Sequence, residues 1–189
     1  MKRKIVLASQ SPQRISLLSS WGLEFETCPS EIDETSIFKT PSLIVKDLAL
    51  RKGKEIASKF LDCLILSADT IVVINKEIIG KPKNKKESEK IIRQLNGSVH
   101  KVYTGVSIID TASNETSLFY DIARIKMKKL SENNLRKLFG KHLDKAGSYA
   151  IQDTDDNFVD KIYGDYYTVV GLPHIKLVKE LKKYKIQIK

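Results

Sequence analysis

"KIVLASQSPQR", residues 4–14, sets an apolar run directly against a polar stretch that starts a helix. The run Ile5, Val6, Leu7, Ala8 reads as a buried strand. Ser11 stands where a helix cap stands, Pro12 suits the first helical position, and Gly22 ends "ISLLSSWG" as a stop. A strand feeding straight into a helix is a building unit of an α/β sheet. It also leaves the N–H groups of the helix start without intrahelical partners, beside the hydroxyls of Ser9 and Ser11 and the donor fork of Arg14. Two readings follow: an ordinary capped helix with a surface arginine, or a cradle for phosphate.

Outward from this unit, the polar and acidic stretch "FETCPSEIDETSI" reads as a loop, followed by a helix over residues 42–60 capped by Thr40 or Ser42. "CLILSADTIVVI", residues 63–74, is a strand, and "NKE" connects it tightly to "IIG" as a hairpin. Asn84 with Glu87 starts a helix carrying Ile91, Ile92 and Leu95, which stops at Gly97. Two strands follow, "HKVYTGVSIID" and "SLFYDIARIKMK", with a turn at Ser113 and Asn114. Ser131 caps a further helix, with Leu130 and Leu135 spaced as a hydrophobic staple. The last third holds "GSYAIQ", a polar turn, "FVDKIYG", "YYTVVGL" and a terminal helix from Pro173. With no repeat, linker or low-complexity tract, the expectation is one α/β domain over residues 1–189, built on a strongly twisted mixed sheet.

The formal net charge of +10 points to an anionic partner, either nucleic acid or a small phosphorylated molecule. Most of that charge is scattered lysine; Lys176, Lys179, Lys182 and Lys183 lie opposite the stripe Leu177, Val178, Leu181. No basic block interleaves with aromatics, which argues against a dedicated nucleic-acid surface. Cys28 and Cys63 form no close-spaced pair and no signal peptide is recognisable, so a reduced cytoplasmic setting is expected. No apolar run approaches the ~20 residues that span a bilayer. His100, His142 and His174 are too dispersed for a zinc motif. "DTDDN" begins like a calcium loop but has Phe158 at its sixth position and Gly164 at its twelfth, where Gly and Glu are needed.

Several polar residues resist a purely structural role. Lys52 shares a helix face with Val45, Leu48, Ala49 and Ile56, so it must snorkel to the rim or meet an anion. Methionine at position 52, an apolar chain of similar length, is expected to preserve or slightly raise thermal stability. Asp69 interrupts an apolar strand that continues as "TIVVI", a place where a carboxylate needs a cation, a metal or a catalytic role. The cluster Glu31, Asp33, Glu34 could join it only if the fold brings them together; two carboxylates facing phosphates suit Mg²⁺. Lys81, in "IIGKPK", lacks the spacing of a P-loop.

Read in order, "LASQSPQR", "EIDET", "LALRKG", "ADTIVV", "GKP", "LNGSVHKVYTGV", "DKAGSYAIQ" and "GDYYTVVGLP" resemble the Maf family of nucleoside triphosphate pyrophosphatases over nearly the whole chain. The resemblance implies an elongated α/β fold related to ITPase-like architecture, with a central nucleotide-binding cleft. It implies hydrolysis of a nucleotide to its monophosphate and pyrophosphate with a divalent metal, Mg²⁺ or Mn²⁺. Matched position by position, Ser9, Ser11, Arg14, Lys52 and Lys81 would bind the substrate. Glu34 and Asp69 would be the acidic, metal-holding pair, with Asp69 the catalytic proton acceptor. Gln13, Thr70 and Gln152 would discriminate substrates; Thr70 and Gln152 resemble the branch acting on dTTP and UTP, whereas Gln13 stands where that branch carries a second arginine. A homodimer is compatible with this reading. The alternatives are a 7-methyl-GTP pyrophosphatase and a nucleotide-binding regulatory protein linked to cell division.

Overall fold

A computed structural model describes residues 3–188. In chain order the elements are β1 (Lys4–Leu7), α1 (Pro12–Ser20), β2 (Glu26–Thr27), α2 (Pro41–Ala57), β3 (Cys63–Ile74), β4 (Glu77–Ile79) and α3 (Lys85–Leu95). They continue as β5 (Val99–Asp110), β6 (Thr116–Met127), α4 (Glu132–Arg136), β7 (Val159–Tyr163), α5 (Tyr166–Val170) and α6 (His174–Lys183). The strands form a mixed seven-stranded sheet in the order β2-β1-β3-β5-β6-β7, with β4 also on β3.

The edges of β3 decide where a ligand can enter. Along one edge β5 pairs antiparallel with it, from Leu64 opposite Asp110 to Val73 opposite Lys101. The other edge is shared by two short strands. Parallel β1 pairs as far as Leu7 opposite Leu66, and antiparallel β4 resumes only at Val72 opposite Ile79. Residues 67–71 are therefore left without a ladder partner on that edge, among the described residues. The C-terminal end of β1 points at this gap, the kind of crevice where α/β sheets bind ligands.

Both faces of β3 are covered, which is why its sequence is nearly all apolar. On one face α2 packs Ile44, Val45 and Leu48 against Ile71 and Val73, and Ile56 joins Val6 and Ile65 in an adjoining cluster. On the other face Leu64 and Leu66 meet Leu18 of α1 and Leu177 and Leu181 of α6. Farther along, Val72 and Ile74 pack with Ile92 and Leu95 of α3. The approach of α2 depends on missing side chains. A Cβ at Gly105 would lie 2.2 Å from the Val45 carbonyl oxygen, and one at Gly53 would lie 2.8 Å from Ser67 Oγ. Gly105 is the register partner of Asp69, so the helix comes closest beside that carboxylate.

The local signals hold with small shifts. Asn84 Oδ1 accepts from the Glu87 N–H at 3.0 Å and Glu87 returns a bond to the Lys83 N–H at 2.8 Å. The β3–β4 turn places Asn75 and Lys76 at φ 50° and 69°, the left-handed pair of a two-residue hairpin. Helix α2 starts at Pro41 and ends at Ala57, short of Phe60, and neither Thr40 nor Ser131 makes a side-chain cap bond. "GSYAIQ" is a tight turn and loop, and "YYTVV" is the short helix α5.

Candidate active site

A cleft of about 700 Å³ opens at the gap in the β3 edge, a volume suited to a nucleotide-sized ligand. Its walls bring together Ser9, Ser11, Gln13 and Arg14 from the β1–α1 connection, and Asp69 and Thr70 from β3. Glu34 comes from the acidic loop, Lys52 from α2, Lys81 from the segment after β4, and Gln152 from the loop before β7. All of the residues singled out by the resemblance therefore line one cavity. Of the acidic cluster only Glu34 does so. The Glu31 N–H donates to the Glu55 carboxylate at 3.0 Å, and Asp33 binds the N–H and hydroxyl of Thr35.

The centre is a three-charge group. Lys52 Nζ lies 2.8 Å from Asp69 Oδ1 and 2.7 Å from Glu34 Oε1. Lys52 and Asp69 are only 8% and 6% exposed, so the lysine does not snorkel; it meets the anions the sequence left open. Burial pushes the Glu34 carboxyl up, but the hydrogen bond and charge of Lys52, with the charges of Lys81 and Arg14, hold it below the usual carboxylate range. The second oxygen of Asp69, Oδ2, is buried and has no hydrogen-bond partner among the described residues. Such an oxygen costs stability until a proton donor or a cation meets it.

Arg14 is held by three hydrogen bonds. Its Nε donates to the Gly171 carbonyl at 3.1 Å, one terminal nitrogen to Ser9 Oγ at 3.2 Å and the other to Thr70 Oγ1 at 3.1 Å. Burial pulls its pKa down while Asp69 and Glu34 act against that shift, and a guanidinium stays charged throughout the physiological range. Thr70 Oγ1 also meets Thr104 Oγ1 at 2.9 Å, and Thr104 donates to the Thr168 carbonyl at 2.7 Å. The Thr70 hydroxyl thus orients Arg14 through a relay into α5. Ser9 Oγ additionally accepts the Ser11 N–H at 3.2 Å, while Ser11 Oγ lies 3.1 Å from Gln13 Oε1 and 3.5 Å from the Arg14 N–H. What remains is a rigid rim of hydroxyls, free N–H groups and guanidinium at a helix start.

Other parts of the cleft carried weaker sequence signals. Tyr149 and Lys145 lie within "DKAGSYAIQ", and both line the wall that carries Gln152. The Tyr149 hydroxyl meets His100 Nε2 at 2.8 Å behind that wall. His142, Asp153 and Asp156 come together with ligand-type atoms within 4.8 Å of one another, although no local spacing announces it. Their oxygens already hold Lys141, 2.7 Å from Asp153 and 2.5 Å from Asp156, and His142, 2.7 Å from Asp156. That network fastens the loop around Gln152.

A family model described as Maf-like protein matches residues 4–184. The chain belongs to the Maf family. Among its Maf relatives, a dTTP/UTP pyrophosphatase of Bacillus anthracis is 44% identical over 189 residues, covering 98% of both chains. A dTTP/UTP pyrophosphatase of Elusimicrobium minutum is 41% identical over 181 residues, covering 96% of this chain and 98% of the relative. The Maf chain also resembles the solved structure of the Staphylococcus aureus Ham1 protein, with a TM-score of 0.57 and 14% identity over 97% of this chain and 100% of the other. The mixed α/β architecture expected from the sequence is thus shared with a Ham1-type fold.

Proposed function

We propose that the protein is a nucleoside triphosphate pyrophosphatase acting on dTTP and UTP, releasing the monophosphate and pyrophosphate. The observation that carries this reading is the meeting of Asp69, Lys52, Glu34 and Arg14 at the strand gap, with Asp69 Oδ2 unpaired. The names of the Maf relatives support the substrate pair.

Arg14, Lys52, Lys81 and the α1 start bind and orient the triphosphate, whose negative charge builds up on the departing pyrophosphate. Asp69 takes the proton of the water that attacks the α-phosphorus, with Oδ2 as the accepting atom. Lys52, bonded to both carboxylates, holds Asp69 in place beside Glu34. Asp69 and Glu34 suit a divalent cation: two hard carboxylates converge on one ammonium, 2.8 and 2.7 Å from it. Bound there, Mg²⁺ or Mn²⁺ would neutralise phosphate charge and lower the pKa of water.

For the base, the exposed Gln152 amide offers a donor and an acceptor at the cleft mouth, matching O4 and N3–H of uracil or thymine. Cytosine inverts that pattern. The test is pyrophosphate release from dTTP, UTP, CTP and 7-methyl-GTP. Wild type is expected to prefer dTTP and UTP, Gln152→Glu to lose that ranking, and Asp69→Asn to lose turnover by about 10²–10⁴. A preference for CTP or 7-methyl-GTP, or a fully active Asp69→Asn, would contradict the reading.

A further inference from the structure

Lys145 has a charge that local structure alone does not explain. It lines the main cleft and also an adjoining, more open depression of about 590 Å³, and it is the one lysine common to both among the described residues. At that junction it stands with Gln13 and Gln152. Its side chain is only 21% exposed, yet its ion pair, at 2.7 Å, is with the adjacent Asp144, a carboxylate 61% exposed. A lysine that needed only solvation would extend outward, as Asp144 does. This one lays its stem against the cleft wall.

The backbone that carries it is fixed on several sides. The Gly147 N–H donates to the Gly80 carbonyl at 3.3 Å, beside Lys81. Ser148 Oγ meets Ser88 Oγ of α3 at 2.6 Å, and the Tyr149 hydroxyl meets His100 of β5 at 2.8 Å. Lys145 therefore adjoins a pinned turn and lines the same cleft as the β1–α1 rim. We infer that Lys145 is a substrate-binding residue that contacts the polyphosphate of the nucleotide, the phosphate oxygen displacing Asp144 from its ammonium. Resting on the nucleotide reading above, it adds a cation to the cleft that Arg14 also lines, at the junction where Gln13 offers an uncharged amide.

The experiment measures KM and kcat for dTTP, UTP and CTP, and direct binding of inorganic pyrophosphate by calorimetry, on wild type, Lys145→Met and Lys145→Arg. Lys145→Met is expected to raise KM for all three triphosphates by a common factor, roughly ten- to hundredfold, the loss of one charge-assisted hydrogen bond. Pyrophosphate binding should weaken in parallel, and Lys145→Arg should restore most of both. An unchanged KM and unchanged pyrophosphate affinity in Lys145→Met would overturn the assignment, as would a change in the ranking of bases, which would make Lys145 a base contact. If wild type releases no pyrophosphate from any triphosphate, the functional reading fails, and the calorimetric comparison still decides whether Lys145 holds phosphate.

Discussion

At position 52 a lysine occupies a place where helical periodicity calls for an apolar residue. The structure reverses the expectation that methionine there would be neutral or stabilising. Lys52→Met strips the one cation hydrogen-bonded to Asp69 among the described residues; that carboxylate is 6% exposed, and an uncompensated buried charge is costly. The variant should lose about 3–5 kcal/mol in urea unfolding, and Asp69→Asn in the same background should recover part of it. No recovery would show that packing, not charge, sets the loss. His100 gives a second test at this scale. Burial lowers its pKa from 6.5 to about 4, so the folded protein keeps it neutral where the unfolded chain takes up a proton. Its contribution to stability is complete above pH 6.5 and is lost as pH falls towards 4, by up to about 3 kcal/mol. Unfolding at pH 7 and pH 5 should show about 2 kcal/mol of that loss, and His100→Gln should show less of it. An identical pH dependence in the variant would contradict the buried neutral state. Asp69 and Lys52 stood out in the sequence because each breaks an apolar pattern, whereas Arg14 read equally well as a surface arginine on a capped helix. Lys145 did not stand out, since a lysine in a polar loop breaks none.

Among elements, β3, β5, β6 and α3 were readable because their patterns are long and their turns carry Asn, Gly or a capping pair. The short α4 and the turn at "GSYAIQ" were less so: tertiary anchors such as Ser88 and His100, far away in sequence, hold that turn. The feature that makes the site, the gap between β1 and β4 on one edge of β3, cannot be seen in a linear pattern because it depends on pairing. Nor does sequence alone tell that Gly105 must be glycine. Gly105→Ala would drive its Cβ into the backbone of α2 at Val45, a contact no rotamer relieves. The expected outcome is a loss of several kcal/mol or failure to fold, with α2 displaced and activity gone. A variant of wild-type stability and activity would mean that the helix does not sit where the Lys52–Asp69 pair requires.

For the whole molecule, basic residues are spread over helices and strands alike, while the cleft gathers Arg14, Lys52, Lys81 and Lys145 together with Glu34 and Asp69. Steering of an anionic nucleotide should therefore make kcat/KM fall with added salt, with kcat itself changing little. A kcat/KM insensitive to ionic strength would contradict that role for the cleft charges. In the proposed reaction water attacks the α-phosphorus of a triphosphate held at the β3 gap. Hydrolysis of dTTP or UTP in ¹⁸O-labelled water with Mg²⁺, with the products weighed by mass spectrometry, tests it most directly. One ¹⁸O in the monophosphate and unlabelled pyrophosphate are expected. Label in the pyrophosphate, or release of orthophosphate and a nucleoside diphosphate, would contradict attack at the α-phosphorus.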